Sequence, residues 1–134
     1  MQISLVKSVS APLLTVKLVQ CVARMVCAQV RCPRDLSISV VAVGDTLMCR
    51  YNSSYRSERK VTDVLSFQYD HANGEVVVCY PQAQRQALAK NNPLRRELAW
   101  LLTHGILHIV GYDHETAADA KIMRPLEQTI VNYV

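Results

Sequence analysis

The chain has 134 residues, half of them hydrophobic and 19% charged, with a formal net charge of +4. That length suits a single domain over residues 1–134 with its own core, and that composition excludes a disordered tail protein and a coiled coil. The mild positive charge fits contact with a polyanion such as RNA without demanding it.

In chain order, "ISLV" near the N-terminus reads as a short strand. The segment "SAPLLTVKLVQCVARMVCAQV" then has Ser10 as N-cap and Pro12 in the first turn, with Leu14, Leu18, Cys21, Val22 and Met25 recurring at helical spacing until Pro33 closes the region. Residues 36–43, "LSISVVAV", alternate and are rich in β-branched side chains, so they form a strand stopped by Gly44 and Asp45. "DTLMCRYNSSYR" reads as one short helix followed by a loop. "DVLSFQY" and "EVVVCY" form a hairpin across "DHANG", whose Asn73-Gly74 pair is a strong turn signal and whose His71 is a turn residue. From Pro81 the pattern is helical, broken at Asn91-Asn92-Pro93, and resumes as "LRRELAWLLTHGILHIV" up to Gly111. The tail is again helical, kinked or divided by Pro125. The sum is an α+β fold, a small mixed sheet covered by helices, with Trp100, Leu101, Leu102, Ile106, Leu107, Ile109 and Val110 packing the core around the histidines.

Five cysteines, Cys21, Cys27, Cys32, Cys49 and Cys79, form no CxxC pair and are odd in number. They read as reduced, mostly buried thiols of a cytosolic protein, not a disulfide framework. The N-terminal apolar run is short, is broken by Lys17 and lacks a clear cleavage site, so it is not read as a signal peptide. No uncharged apolar run approaches the roughly 18 residues that span a bilayer. The expectation is a soluble, cytoplasmic protein without a membrane partner. Two basic clusters, Arg50/Arg56/Arg59/Lys60 and Lys90/Arg95/Arg96, bear on function only if they flank the histidines in space.

Those histidines lie in "HGILHIVGYDH", residues 104–114. On a helix, His104 and His108 are about 40° apart around the axis and one turn along it, so they face the same way. Gly111 can end the helix in a left-handed turn that only glycine adopts cheaply, which can return His114 toward the other two. Three neutral imidazoles suit one Zn2+ per chain and leave a tetrahedral position open for water, the mark of a catalytic site. Zinc there can lower the pKa of bound water toward neutrality and polarise a phosphoryl or carbonyl oxygen. Nickel or another divalent ion suits the same ligands. Asp113 is either an outer carboxylate that orients an imidazole or a local cap. A zinc protease helix carries H-E-x-x-H, with glutamate as general base, but Gly105 occupies that position here. Phosphodiester cleavage gains instead from an arginine that balances phosphate charge.

"HGILHIVGYDH" resembles the signature of the YbeY family of metal-dependent endoribonucleases, and "NSSYRSERKVTDVLSF", residues 52–67, is similar to that family's second motif. The resemblance covers most of the chain from Asn52 onward, whereas the N-terminal third matches only in its helix-then-strand order. It implies an α+β fold, one zinc on His104, His108 and His114, and cleavage of single-stranded RNA. The implied cellular role is 3′-end maturation of small-subunit ribosomal RNA and ribosome quality control, with ribosomal RNA and the small subunit as partners. Arg56 matches the motif's arginine, with a role as phosphate clamp or transition-state stabiliser, and Arg59 and Lys60 are RNA-binding candidates beside it. Val61, Gln68 and Glu75 depart from the family's pattern beside the motifs, and Pro125 is unexpected in the tail helix. Two alternatives stay open: a zinc hydrolase of peptides or small molecules, and a ribosome-associated RNA-binding module whose metal is structural. The sequence leaves the oligomeric state open.

Overall fold

Four short strands build the sheet in a computed structural model of the protein, which describes residues 1–56, 60–112 and 117–134, the side chain of Arg56 excepted. The elements are β1 (Gln2–Lys7), α1 (Val16–Gln29), β2 (Ser37–Val43), α2 (Asp45–Arg56), β3 (Val64–Gln68), β4 (Asn73–Cys79), α3 (Tyr80–Ala89), α4 (Leu94–Ile109) and α5 (Ala117–Tyr133). The sheet order is β1-β2-β4-β3. β1, β2 and β4 run parallel, and β3 pairs antiparallel with β4 at one edge. The mixed sheet and its helices bear out the α+β expectation.

Period-two alternation decides what each face packs against. Ile38, Val40 and Ala42 of β2 and Val76 and Val78 of β4 are buried in the main core with Leu18, Val22 and Val26 of α1, Leu98, Leu102 and Ile106 of α4, and Met123 and Ile130 of α5. On the opposite face Val43, Leu65, Val77 and Cys79 make a smaller cluster with Met48 of α2. Trp100 and Val110, expected in the core, are only half-buried, because position 100 lies on the outward side of α4 and position 110 at its end.

Two glycines let α4 sit close to the sheet. A Cβ on Gly105 would stand 2.7 Å from Val76, and one on Gly74 would stand 2.7 Å from Ile109. Among the described residues no helix is long and apolar enough to cross a membrane. The five cysteines are unbridged; Cys79 is buried and the other four are half-buried, fewer buried than expected. Burial pushes the Cys79 thiol up to about 11 and, with Cys27 beside it, the Cys32 thiol to about 12, which keeps both protonated and unreactive.

Four sequence expectations need correction. The first long helix starts at Val16, not near Pro12, because Thr15 is the N-cap and its Oγ1 accepts from the Leu18 N–H at 3.1 Å. Ser10 precedes, and Pro12 lies within, a separate turn in which Leu14 donates to the Ala11 carbonyl. The hairpin turns on Asp70, whose Oδ1 accepts from the backbone N–H groups of Ala72 and Asn73 at 2.8 Å each. Asn73 and Gly74 already belong to β4, and His71 lies in the turn as expected. Finally, residues 45–56 form one continuous helix. The tail helix is likewise continuous through Pro125, which is exposed.

Candidate functional site

α4 carries the two histidines on its solvent-facing side, while Gly105, Ile106 and Ile109 on the same turns are buried against the sheet. The i, i+4 spacing does what helix geometry requires: the rings stand edge to face with centroids 4.7 Å apart. Their Nε2 atoms are 3.2 Å from each other. Beyond them the helix ends as the glycine requires, with Gly111 at φ 104° and the Tyr112 N–H donating to the Leu107 carbonyl at 2.9 Å. His114 and Asp113 lie outside the described residues, as does Arg59. Arg56 ends α2, and its side chain lies outside them too.

Glu127 of α5 completes what can be seen of the site, and sequence reasoning missed it. Its carboxylate, 2% exposed, places Oε2 3.3 Å from His104 Nδ1. With Nδ1–H donating to that oxygen, the His104 Nε2 lone pair is directed at His108. A signal for Glu127 existed in the sequence, since it falls on the apolar stripe of its helix with Met123, Ile130 and Val131.

This pair fits a cation. Two imidazole nitrogens on one tetrahedral ion at 2.0–2.1 Å stand about 3.3 Å apart, against the 3.2 Å found. A carboxylate behind a ligand histidine is the usual outer partner that fixes its tautomer. Among the described residues no group of three His, Cys, Asp or Glu is placed to hold a metal, so a third ligand from the described residues is not in position.

Position 105 faces away from this pair. The Gly105 carbonyl accepts from Ser66 Oγ at 3.1 Å, and any Cβ there would press into Val76. A glutamate at 105 would point into β4, not toward a metal-bound water, so the helix excludes the protease arrangement by packing as well as by composition.

The basic clusters separate. Lys90 pairs with buried Glu97 at 3.1 Å, Arg96 donates to Asn132, and Arg95 donates to the Val134 carbonyl. Lys90 caps α3, and Arg95 and Arg96 sit at the N-terminal end of α4, about 12–14 Å of helix from His104 and about 20 Å from His108. Arg50 and Lys60 are exposed at and beyond α2, and the Lys60 carbonyl accepts from Asn52 Nδ2 at 2.9 Å. Asn52, the first residue of the second motif, is 1% exposed.

A family model described as Endoribonuclease YbeY matches residues 7–134, so the likeness reaches well into the N-terminal third. The chain is 41% identical over 111 residues to an endoribonuclease YbeY of Thermodesulfovibrio yellowstonii, covering 77% of this chain and 70% of that one. It is 36% identical to an endoribonuclease YbeY of Spiroplasma citri, with 75% and 70% covered. The solution structure of TM1509 from Thermotoga maritima is similar at a TM-score of 0.74 and 27% identity, over 98% of this chain and 88% of that one. With the paired histidines, the glycine-ended helix and these likenesses together, the chain belongs to the YbeY family of endoribonucleases.

Proposed function

We propose that the protein is a zinc-dependent endoribonuclease specific for single strands. It acts in 3′-end maturation of small-subunit ribosomal RNA and in ribosome quality control, in the cytoplasm, with the small ribosomal subunit as its partner. The observation that carries this reading is the pair of Nε2 atoms 3.2 Å apart on the helix whose neighbouring position, Gly105, has no room for a protease base. The relatives' name supplies RNA as the substrate class.

His104, His108 and His114 would hold the ion. When bound, a divalent cation there supplies Lewis-acid charge beside a phosphoryl oxygen and acidifies a coordinated water. Glu127 accepts the Nδ1 proton of His104 and so keeps the opposite nitrogen available as a donor atom. Gly105 seats the helix on β4 so that the two rings stay in register. Arg56 takes the role of phosphate clamp, since its planar fork stays charged and engages two oxygens at once. Arg59 and Lys60 add positive charge that binds the RNA strand.

Zinc analysis of the native protein, paired with cleavage of an unstructured RNA, tests site and reaction together. The expected result is one zinc per chain and cleavage lost in His108→Ala and His114→Ala, with Arg56→Ala impairing cleavage more than zinc content. Fully zinc-loaded protein that leaves single-stranded RNA intact would overturn the reading. Retained ribosome binding and function in a folded histidine variant would favour a structural metal instead.

A further inference from the structure

Four aromatic rings gather on the side of the sheet opposite the histidines. Tyr51 and Tyr55, one turn apart on α2, stack with centroids 6.1 Å apart and an interplanar angle of 21°. Phe67 of β3 meets Tyr55 edge-on at 4.8 Å. Tyr69 follows two residues later, so strand alternation puts it on the face of Phe67, and its N–H still donates to the Asn73 carbonyl at 2.9 Å. Tyr55 is 65% exposed and Tyr69 67% exposed, although large aromatic rings are ordinarily driven inward.

Cationic chemistry lies beside the rings. Arg50 is exposed on the same helix and lines a hollow of about 230 Å³ with Leu47, Tyr51, Ser54 and Tyr55. Among the described residues Arg50 makes no ion pair. Glu75 stands across the ladder from Phe67, and its charge, with the neighbouring tyrosines and above all partial burial, raises the Tyr69 hydroxyl above its ordinary range. A carboxylate there accepts hydrogen bonds from base amino groups and repels phosphate, so bases face the rings and the backbone faces Arg50.

The edge strand joins this platform to the histidine helix. Ser66 of β3 is bonded to Gly105, next to His104, while the adjacent Phe67 points to the other face and touches Tyr55. A strand of nucleic acid held on the rings therefore has to pass the β3 edge and α4 to reach the histidines. Exposed rings with an adjacent arginine are the chemistry that binds single strands, because every base has a face to stack and every linkage a negative charge.

We infer that Tyr55 and Tyr69, braced by Tyr51 and Phe67 and flanked by Arg50, are a base-stacking platform that holds single-stranded RNA on the face of the sheet opposite the histidine pair. This inference rests on the endoribonuclease reading and adds to it where the substrate lies and what selects an unpaired strand. Only unstacked bases can lie on the rings, so a duplex is refused here.

The test uses the full-length, metal-loaded protein and a short unstructured oligoribonucleotide carrying 2-aminopurine, whose fluorescence reports stacking on rapid mixing before cleavage. Tyr69→Ala and Tyr55→Ala should each raise Kd and KM about 5- to 100-fold and abolish the stacking signal, with Tyr69→Phe restoring both. Arg50→Ala should lower the slope of log Kd against log salt by about 0.7, one phosphate on a single strand. Tyr133→Ala, which removes an equally exposed tyrosine at the far end of α5, should bind as the parent does. If the parent cleaves RNA but Tyr69→Ala and Tyr55→Ala bind it as tightly, with the stacking signal intact, the platform is wrong and the nuclease reading stands. If the metal-loaded parent neither binds nor cleaves the oligonucleotide, the nuclease reading falls and the platform with it.

Discussion

His104 and Glu127 are joined between the last two helices, Nδ1 to Oε2 at 3.3 Å, by a carboxylate that is otherwise enclosed by the core. A glutamate on the apolar stripe of a helix is costly to bury unless a partner uses it, and the partner here is a residue that presents its other nitrogen to the proposed metal site. The bond therefore links the packing of α5 to the chemistry of α4.

Replacing Glu127 with glutamine keeps the shape but lets the side chain offer an amide N–H or a weaker acceptor to Nδ1. Loss of such an outer carboxylate typically costs 10- to 100-fold in metal affinity. Glu127→Gln should therefore release zinc to a chelator about 10- to 100-fold more readily, with the circular dichroism of the parent. Equal zinc retention in the two proteins would show that Glu127 serves packing alone.

Thr15 offers a prediction on stability. Its Oγ1 satisfies one of the orphan N–H groups at the start of α1, the helix that covers the sheet through Leu18, Val22 and Val26. Thr15→Ala should cost about 1 kcal/mol in chemical denaturation. Ser10→Ala, at the position that capping preference alone favours, should cost far less. The reverse order would mean that the helix starts earlier in solution.

These residues show what was legible in the sequence and what was not. The His104–His108 relation was readable because helical spacing fixes it locally, and Gly111 because a left-handed turn has few other occupants. Ser10 and Thr15 are both acceptable caps. The choice fell to tertiary packing, which uses Ala11 and Leu14 as buried residues of a turn before the helix. Likewise Asn73-Gly74 has turn chemistry, yet Asp70 makes the turn and Gly74 is held by its contact with Ile109. The bond from Glu127 to His104 spans 23 positions, a distance over which no local pattern assigns partners.

Asp45 gives the pH dependence. Arg85 donates to both of its carboxylate oxygens, at 2.7 and 3.0 Å, and holds the carboxyl below the usual carboxylate range. A lowered folded-state pKa adds stability above the unfolded value of about 3.9 and loses it as pH falls through the folded value. Both side chains are roughly half exposed, so solvent screening keeps the pair's contribution small. Asp45→Asn should melt slightly below the parent at pH 7, and the gap should close as the medium is taken down to about pH 2. A gap that persists unchanged in acid would assign the effect to contacts that do not need the charge, such as the Cys79 thiol that donates to Oδ1 at 3.3 Å, instead of the ion pair.

Gly105 decides between two opposed effects. Glycine to alanine in a helix interior ordinarily gains up to about 1 kcal/mol from propensity. Here the new methyl would stand 2.7 Å from Val76, a β-branched residue fixed in a buried strand, and 3.1 Å from Ser66 Oγ, which is bonded to the Gly105 carbonyl. Overpacking against such a neighbour costs about 1–3 kcal/mol, so the clash outweighs the propensity gain and Gly105→Ala should lower the Tm. Because α4 would be lifted from β4 on the turns that carry His104 and His108, zinc affinity should fall as well. A stabilised Gly105→Ala with parental zinc content would mean that the helix and sheet are looser at this contact than the structure has them, and that a glutamate at 105 could be housed after all.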